Sequence, residues 1–281
     1  MYLSCEGERL YALLREPFGP GLGSGVTVMD ILPDGALAEA SAPLPTGGQV
    51  SAHLSVSQAR IYTANYISGD ISLLPGRIVR HSGHGADPTK QSSPHPHYIG
   101  FTPDGDCLAV ADLGLDKIFL YDKELRPLSS CALPAGSGPR HLAFSPDGEL
   151  AYCANELSST VTVLRCAPGR LAPLETYEAL PPDYAGASTA AAIRCTEDSV
   201  YVSHRGYDRV TRFSRQGEAL VKGEDIPCCG EGPRDFELCG DLLICANERS
   251  DSAVVLRREG KSRWRQCCRV TLPAPLCVLI P

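Results

Sequence analysis

Gly136-Ser-Gly-Pro-Arg-His-Leu-Ala-Phe-Ser-Pro-Asp-Gly-Glu-Leu-Ala-Tyr-Cys-Ala-Asn-Glu156 reads as an apolar strand, a tight Pro146-Asp147-Gly148 turn and a second strand ending in polar residues. In such a turn proline presets φ, aspartate bonds nearby backbone and glycine supplies the left-handed conformation. The second strand recurs as Tyr62-Thr-Ala-Asn-Tyr66, Ala109-Val-Ala-Asp-Leu113, Tyr201-Val-Ser-His-Arg205 and Ile244-Cys-Ala-Asn-Glu248, with a degenerate first copy at Tyr11-Ala-Leu-Leu-Arg-Glu16. Successive copies are spaced by 43 to 51 residues. A period of about 40–50 residues with about four short strands per unit is the signature of a β-propeller. The chain therefore reads as all-β, a propeller with six visible blade repeats, in one domain over residues 1–281.

Each unit can be laid out from its best copy. Arg140 to Ser145 is expected as the first strand, Leu150 to Ala154 as the second, Thr160-Val-Thr-Val-Leu164 as the third and Leu171 to Tyr177 as the fourth. The unit near Pro96 repeats the order, with turn Pro103-Asp104-Gly105 and third strand Lys117-Ile-Phe-Leu-Tyr121. The turn decays to Thr196-Glu197-Asp198 and Cys239-Gly240-Asp241, as expected where only its geometry matters. Pro275-Leu-Cys-Val-Leu-Ile280 resembles the innermost strand of a seventh blade. Met1 falls at the innermost strand of the first unit, so the strands that would complete a seventh blade are expected to be missing at the N-terminus.

Composition narrows the function classes. With 27 glycines, 23 prolines and 43% hydrophobic residues, the chain suits many short strands around a packed core. A net charge of −7 gives no basic stripe for phosphate neutralisation, so no nucleic-acid partner is expected. The opening residues Met-Tyr-Leu-Ser-Cys-Glu-Gly-Glu8 lack the basic start and apolar run of a secretory signal. No apolar stretch approaches the roughly 18 residues of a membrane span, and no membrane partner is expected. The 13 cysteines contain no Cys-x-x-Cys, and Cys228-Cys229 and Cys267-Cys268 have no partner pair at zinc-finger spacing. Cys153 and Cys245 stand in strands where a small hydrophobe would serve. These features predict a reduced cytoplasmic protein with no metal and no cofactor; the oligomeric state is left open.

Antiparallel pairing sorts the chemistry. The start of a first strand and the end of its paired second strand lie at one end of the sheet, and the Pro-Asp-Gly turn lies at the other. First-strand starts carry His95, His97, Arg140, His141 and Arg234, while second-strand ends carry Asn65, Asp112, Asn155, Glu156, His204, Arg205, Asn247 and Glu248. All are expected on one face. The Asn and Asp residues also have a plainer reading, as caps of exposed backbone groups. His95 and His97 have the i, i+2 spacing that turns two rings the same way, with no evident third metal ligand. Arg140 and Arg205 together suggest an anion clamp, since guanidinium forks match carboxylate and phosphate oxygens.

Pro94-His-Pro-His-Tyr-Ile-Gly-Phe-Thr-Pro-Asp-Gly105, Ala111-Asp-Leu-Gly-Leu-Asp116, Gly136-Ser-Gly-Pro-Arg-His141, Ala154-Asn-Glu156, Ser203-His-Arg205 and Gly232-Pro-Arg234 resemble, in order and content, the seven-bladed propeller lactonases. That family includes propeller-type 6-phosphogluconolactonases and carboxy-muconate cyclases. The resemblance implies catalytic roles for His97, Arg140, Glu156 and Arg205; His95, Asp112, His141, Asn155, Arg234 and Asn247, placed on the same face by strand pairing, are expected to bind substrate. Position 204 is His where the family usually has Asn. The implied reaction is hydrolysis of a small anionic sugar-acid lactone, 6-phosphogluconolactone first. His97 would act as general acid or base, Glu156 would orient or share protons with it, and the two arginines would hold the anion. A muconate-type lactonising enzyme and a non-catalytic binding propeller stand as alternatives.

Overall fold

The computed structural model describes residues 2–39, 41–260 and 262–280. Residue contacts divide the chain into two compact units, Met1–Gly138 and Pro139–Ile280, and each holds three antiparallel sheets. Met1, expected to open the first strand, lies outside the described residues.

In the first unit, sheet one pairs β1 (Leu3–Glu6), β2 (Arg9–Leu14), β3 (Gly25–Ile31) and β4 (Leu37–Glu39), with β5 (Leu44–Pro45) also on β3. Sheet two runs β6 (Ser51–Ser57), β7 (Arg60–Asn65), β8 (Asp70–Leu74) and β9 (Arg77–Arg80). Sheet three runs β10 (Pro96–Phe101), β11 (Cys107–Asp112), β12 (Lys117–Asp122) and β13 (Pro127–Ala132). In the second unit, sheet four runs β14 (Pro139–Phe144), β15 (Leu150–Asn155), β16 (Thr160–Ala167) and β17 (Arg170–Glu178). Sheet five runs β18 (Thr189–Cys195), β19 (Ser199–Arg205), β20 (Arg209–Gln216) and β21 (Ala219–Pro227). Sheet six runs β22 (Pro233–Cys239), β23 (Leu242–Asn247), β24 (Ser252–Glu259) and β25 (Arg263–Thr271). The sequential pairing of each sheet is that of a propeller blade, and every copy of the repeated motif is a second strand.

Second strands β11 and β15 are buried along their whole length, which is why they read as continuous small and apolar residues. Each core cluster joins one sheet to the next within its unit. Tyr152, Val161 and Val163 meet Ile193, Val200, Val202 and Phe213 between sheets four and five. Val210 and Ile226 meet Phe236, Leu243 and Val254 between sheets five and six. Truncating such a buried side chain costs about 2–5 kcal/mol. The outer strands β13, β17 and β25 are mostly exposed.

One irregularity is repeated in the first strands and falls on several of the expected site residues. The register between first and second strands jumps after Ser51, Pro96, Pro139, Ala190 and Pro233. The extra residues are Ala52, His97, Arg140, Ala191-Ala192 and Arg234. A β-bulge leaves its extra residue out of the ladder and re-aims its side chain. Pro96, Pro139 and Pro233 are the first residues of their strands, where a missing N–H costs no ladder bond. A second repeated feature is the residue before the third strand of sheets two to six. Gly69, Asp116, Ser159, Asp208 and Asp251 all have φ between 47° and 68°. Asparagine and aspartate tolerate this left-handed turn better than most non-glycine residues.

The expected seventh-blade strand is not formed. Residues 275–280 carry no ladder; Val278 N–H donates to Asp235 Oδ2 at 2.9 Å, and Ala274 N–H to Asp251 Oδ1 at 2.9 Å. Pro273 and Pro275 withdraw two donors from this stretch, and two of its other amides, Ala274 and Val278, go to carboxylates instead of a ladder. Among the described residues the sheets number six.

Candidate active site

The second unit brings Arg140, Glu156 and Arg205 together. Arg140 leaves its strand at the β14 bulge, Glu156 follows β15 and Arg205 ends β19. Glu156 Oε2 is 2.9 Å from Arg140 Nε and 3.0 Å from Arg205 Nη2, so one carboxylate oxygen faces two guanidinium groups. Arg140 Nη1 also donates to the Ala191 carbonyl at 2.7 Å and lies 3.2 Å from His141 Nε2. The Arg140 side chain is only 2% exposed, against 12% for Arg205 and 19% for Glu156. Burial, reinforced by Arg205, pulls the Arg140 guanidinium down to about 9, with Glu156 opposing the shift. It therefore remains charged at neutral pH.

The same construction appears two sheets later, in sheet six. Arg234 occupies the β22 bulge and its Nη1 lies 3.2 Å from Glu248 Oε2. Counting from the third strands, Glu156, Arg205 and Glu248 hold equivalent positions, each following the residue that pairs with the start of its third strand. In sheet five the bulge carries alanines, so Arg205 has no arginine partner of its own and reaches Glu156.

The residues just before these positions are framework. Asn155 Nδ2 donates to the Thr160 and Thr162 hydroxyls at 2.9 and 2.8 Å, and Asn247 Nδ2 to the Cys228 carbonyl at 3.3 Å. Asn65 does the same with Asp70 and Ser72. All three are fully buried; Asn65 and Asn155 tie together side chains of their own sheets, and only Asn247 bonds a backbone group as the capping reading expected. His204 takes this position in sheet five. It is fully buried, and neither ring nitrogen has a hydrogen-bond partner among the described residues. Burial, with Lys222 adding to it, pulls the imidazole down to about 3. His204 is therefore neutral at physiological pH.

The first unit holds His95, His97 and Asp112. His97 is the bulged residue of β10 and is buried; its ring meets the Tyr66 ring edge-on at 5.6 Å. His95 stacks on the same Tyr66 ring at 4.4 Å, and its Nδ1 lies 2.8 Å from the Tyr66 carbonyl. Asp112 is not turned outward. Its Oδ1 accepts from the backbone N–H of His95 at 2.8 Å and of Gly114 at 3.0 Å. Its Oδ2 pairs with His81 Nδ1 at 2.6 Å, and His81 Nε2 lies 2.9 Å from the Tyr121 hydroxyl. Burial and the Asp112 charge push the Tyr121 phenol up to about 12. Tyr121, His81 and Asp112 thus form a buried chain ending on the backbone of the His95-Pro96-His97 segment. Sequence reasoning missed His81 and Tyr121: His81 stands in a non-repeating loop, and Tyr121 reads as one more strand aromatic.

Comparison with known proteins agrees with this architecture. The family described as "Lactonase, 7-bladed beta-propeller" matches residues 1–280. A 6-phosphogluconolactonase of Bacillus subtilis is 32% identical over 256 residues, covering 82% of this chain and 73% of its own. An uncharacterized protein of Lactococcus lactis is 35% identical over 263 residues, covering 85% of this chain and 76% of its own. The crystal structure of a periplasmic gluconolactonase of Pseudomonas aeruginosa superposes with a TM-score of 0.86 at 28% identity, covering 98% of this chain and 86% of the other.

Proposed function

The chain belongs to the seven-bladed β-propeller lactonase family, and we propose that it hydrolyses a sugar-acid lactone, 6-phosphogluconolactone to 6-phosphogluconate. The observation that carries the reading is the doubly held carboxylate of Glu156, with Arg140 and Arg205 on one oxygen. The resemblance to the Bacillus subtilis 6-phosphogluconolactonase favours a phosphorylated substrate. The resemblance to the periplasmic gluconolactonase favours an unphosphorylated one, and the experiment below separates the two.

Hydrolysis adds water to the lactone carbonyl, passes through a tetrahedral oxyanion, breaks the bond to the ring oxygen and protonates that oxygen. With Oε2 occupied by two cations, Glu156 has Oε1 to accept from the attacking water or a substrate hydroxyl. Arg140, buried and already bonded to Ala191 and His141, serves mainly to hold Glu156. Arg205 is the more accessible of these two cations and takes the developing oxyanion. His97 is proposed as the proton carrier on the resemblance alone, a role suited to imidazole. His95, His141, Asp112, Asn155 and Asn247 support the segments that carry these groups.

We place the reaction in the cytoplasm. The cysteines are all free, which suits a reducing compartment, and among the described residues no helix is long and apolar enough to cross a membrane. The test is to incubate the purified protein with phosphorylated and unphosphorylated δ-gluconolactone, subtract spontaneous hydrolysis and follow proton release. Hydrolysis restricted to the phosphorylated lactone supports the proposal, and no hydrolysis of either contradicts it.

A further inference from the structure

The two Arg–Glu pairs built on first-strand bulges of the second unit, Arg140–Glu156 and Arg234–Glu248, are alike in construction and unlike in burial. Arg140 is 2% exposed, is ion-paired with Glu156 and donates from Nη1 to the Ala191 carbonyl, with His141 Nε2 3.2 Å from the same nitrogen. Arg234 is 18% exposed, and Glu248 at 30% is more open still. Among the described residues Glu248 is the only acidic side chain paired with Arg234, whereas the neighbouring Asp235 is taken by Arg194 at 2.9 Å. The backbone around the open pair is firmly set. Gly232 N–H donates to Asp208 Oδ1 at 2.8 Å, and Glu248 N–H donates to the Gly232 carbonyl at 2.9 Å. The first strands β14, β18 and β22 lie side by side, and the Arg234 charge is felt at Arg140. Three arginines therefore face two glutamates here, and one glutamate, Glu248, sits on a partly solvated cation.

A partly exposed ion pair gains less from its charge attraction than a buried one, because water screens it and two long side chains must be held still. A phosphate monoester presents two negative charges and several oxygens to a guanidinium fork, and it makes stronger charge-assisted bonds than a single carboxylate oxygen. We propose that Arg234 is the recognition residue for the phosphate monoester of the ligand, and that Glu248 is its displaceable internal counter-ion. In the free protein Glu248 balances Arg234. A bound phosphate dianion takes Arg234 and releases the Glu248 carboxylate to water, while Arg140 keeps Glu156 in place. The choice of ligand rests on the lactonase reading; the counter-ion exchange goes beyond it.

The experiment uses the stable product acids, so that binding is read without turnover. Purified wild type, Arg234→Ala, Arg234→Lys and Glu248→Gln are titrated calorimetrically with 6-phosphogluconate and with gluconate, and lactone turnover is measured on the same samples. Wild type is expected to bind 6-phosphogluconate at least tenfold more tightly than gluconate. Arg234→Ala should abolish that preference without changing gluconate affinity, and Arg234→Lys should retain part of it, since the charge stays but the fork is lost. Glu248→Gln should tighten 6-phosphogluconate binding several-fold, because the competing carboxylate is gone. A preference that survives Arg234→Ala, or a Glu248→Gln variant that binds 6-phosphogluconate as weakly as Arg234→Ala, overturns the proposal. Absent turnover with this binding pattern intact would instead count against the lactonase reading alone.

Discussion

Glu156 is the residue on which the site turns, because it is the acceptor shared by two arginines of different burial. That difference separates their roles by experiment. Replacing Arg140 by Ala leaves the Ala191 carbonyl without its donor and Glu156 with one cation, so it should cost about 3 kcal/mol in urea unfolding as well as turnover. Arg205→Ala should reduce lactone turnover while costing less than about 1 kcal/mol of stability, since its ion pair is more open. His204 gives a prediction in pH. Its imidazole is held at about 3 in the folded protein, against an ordinary value near 6.5. Between those values the unfolded chain binds a proton that the folded chain does not, so this contribution to stability is present above 6.5 and lost as pH falls towards 3. Lys222 is the charged group felt at His204 and is paired with Asp225, while Arg205, Asp208 and Arg209 adjoin it along the hairpin. His204→Asn, which installs the residue of the neighbouring sheets, should flatten the decline of unfolding free energy between pH 6.5 and 4 by about 1 kcal/mol per pH unit. An unchanged slope would show that other groups set it.

At the scale of the element, the first strand and its hairpin divide labour. The bulge aims His97, Arg140 and Arg234 out of their ladders, whereas the Asp-Gly turns at the opposite strand end only close the hairpins. Gly148 sits at φ 74°, so Gly148→Ala should cost roughly 1 kcal/mol in denaturant unfolding and leave turnover at the wild-type level. In the third sheet the Tyr121–His81–Asp112 chain is the corresponding support for the His95–His97 segment. Asp112→Ala leaves the His95 and Gly114 amides and the His81 ring without their acceptor and should destabilise by about 3 kcal/mol, read by thermal unfolding. The hairpins were legible because Pro-Asp-Gly and strict alternation are local signals: β14 and β15 fall within a residue of their expected bounds. The candidate anion-binding arginines were legible for the same reason, since Gly-Pro-Arg marks the strand start. Their division into a buried holder and an accessible partner was not, because burial depends on Ala191 and Glu156, which are distant in sequence. The bulge leaves no residue-type mark, as Ala52, His97 and Arg234 occupy it alike. His81 was invisible because a loop histidine has no periodic position to announce it.

For the whole molecule, repetition is the organising fact. A period of 43 to 51 residues produces six four- or five-stranded sheets, and variation at two positions of each repeat, the bulge and the residue after the second-strand polar cap, decides which sheets carry chemistry. Sheets four to six carry charge there, and sheet three carries histidine at the bulge; sheet two carries Ala52 and Tyr66. The chain covers about three quarters of the length of the curated relatives it matches, and the family is described with seven blades where six are formed among the described residues. The extra strand expected at 275–280 failed because a proline-flanked apolar hexapeptide resembles a strand start but finds no ladder partner. The central claim is that the Arg-held Glu156 supports lactone hydrolysis. It is tested most directly by following proton release from 6-phosphogluconolactone with wild type and Glu156→Gln, after confirming equal thermal stability. Hydrolysis well above the spontaneous rate is expected for wild type, with at least a hundredfold loss for the variant; equal rates in the two proteins would show that Glu156 plays no part in the reaction.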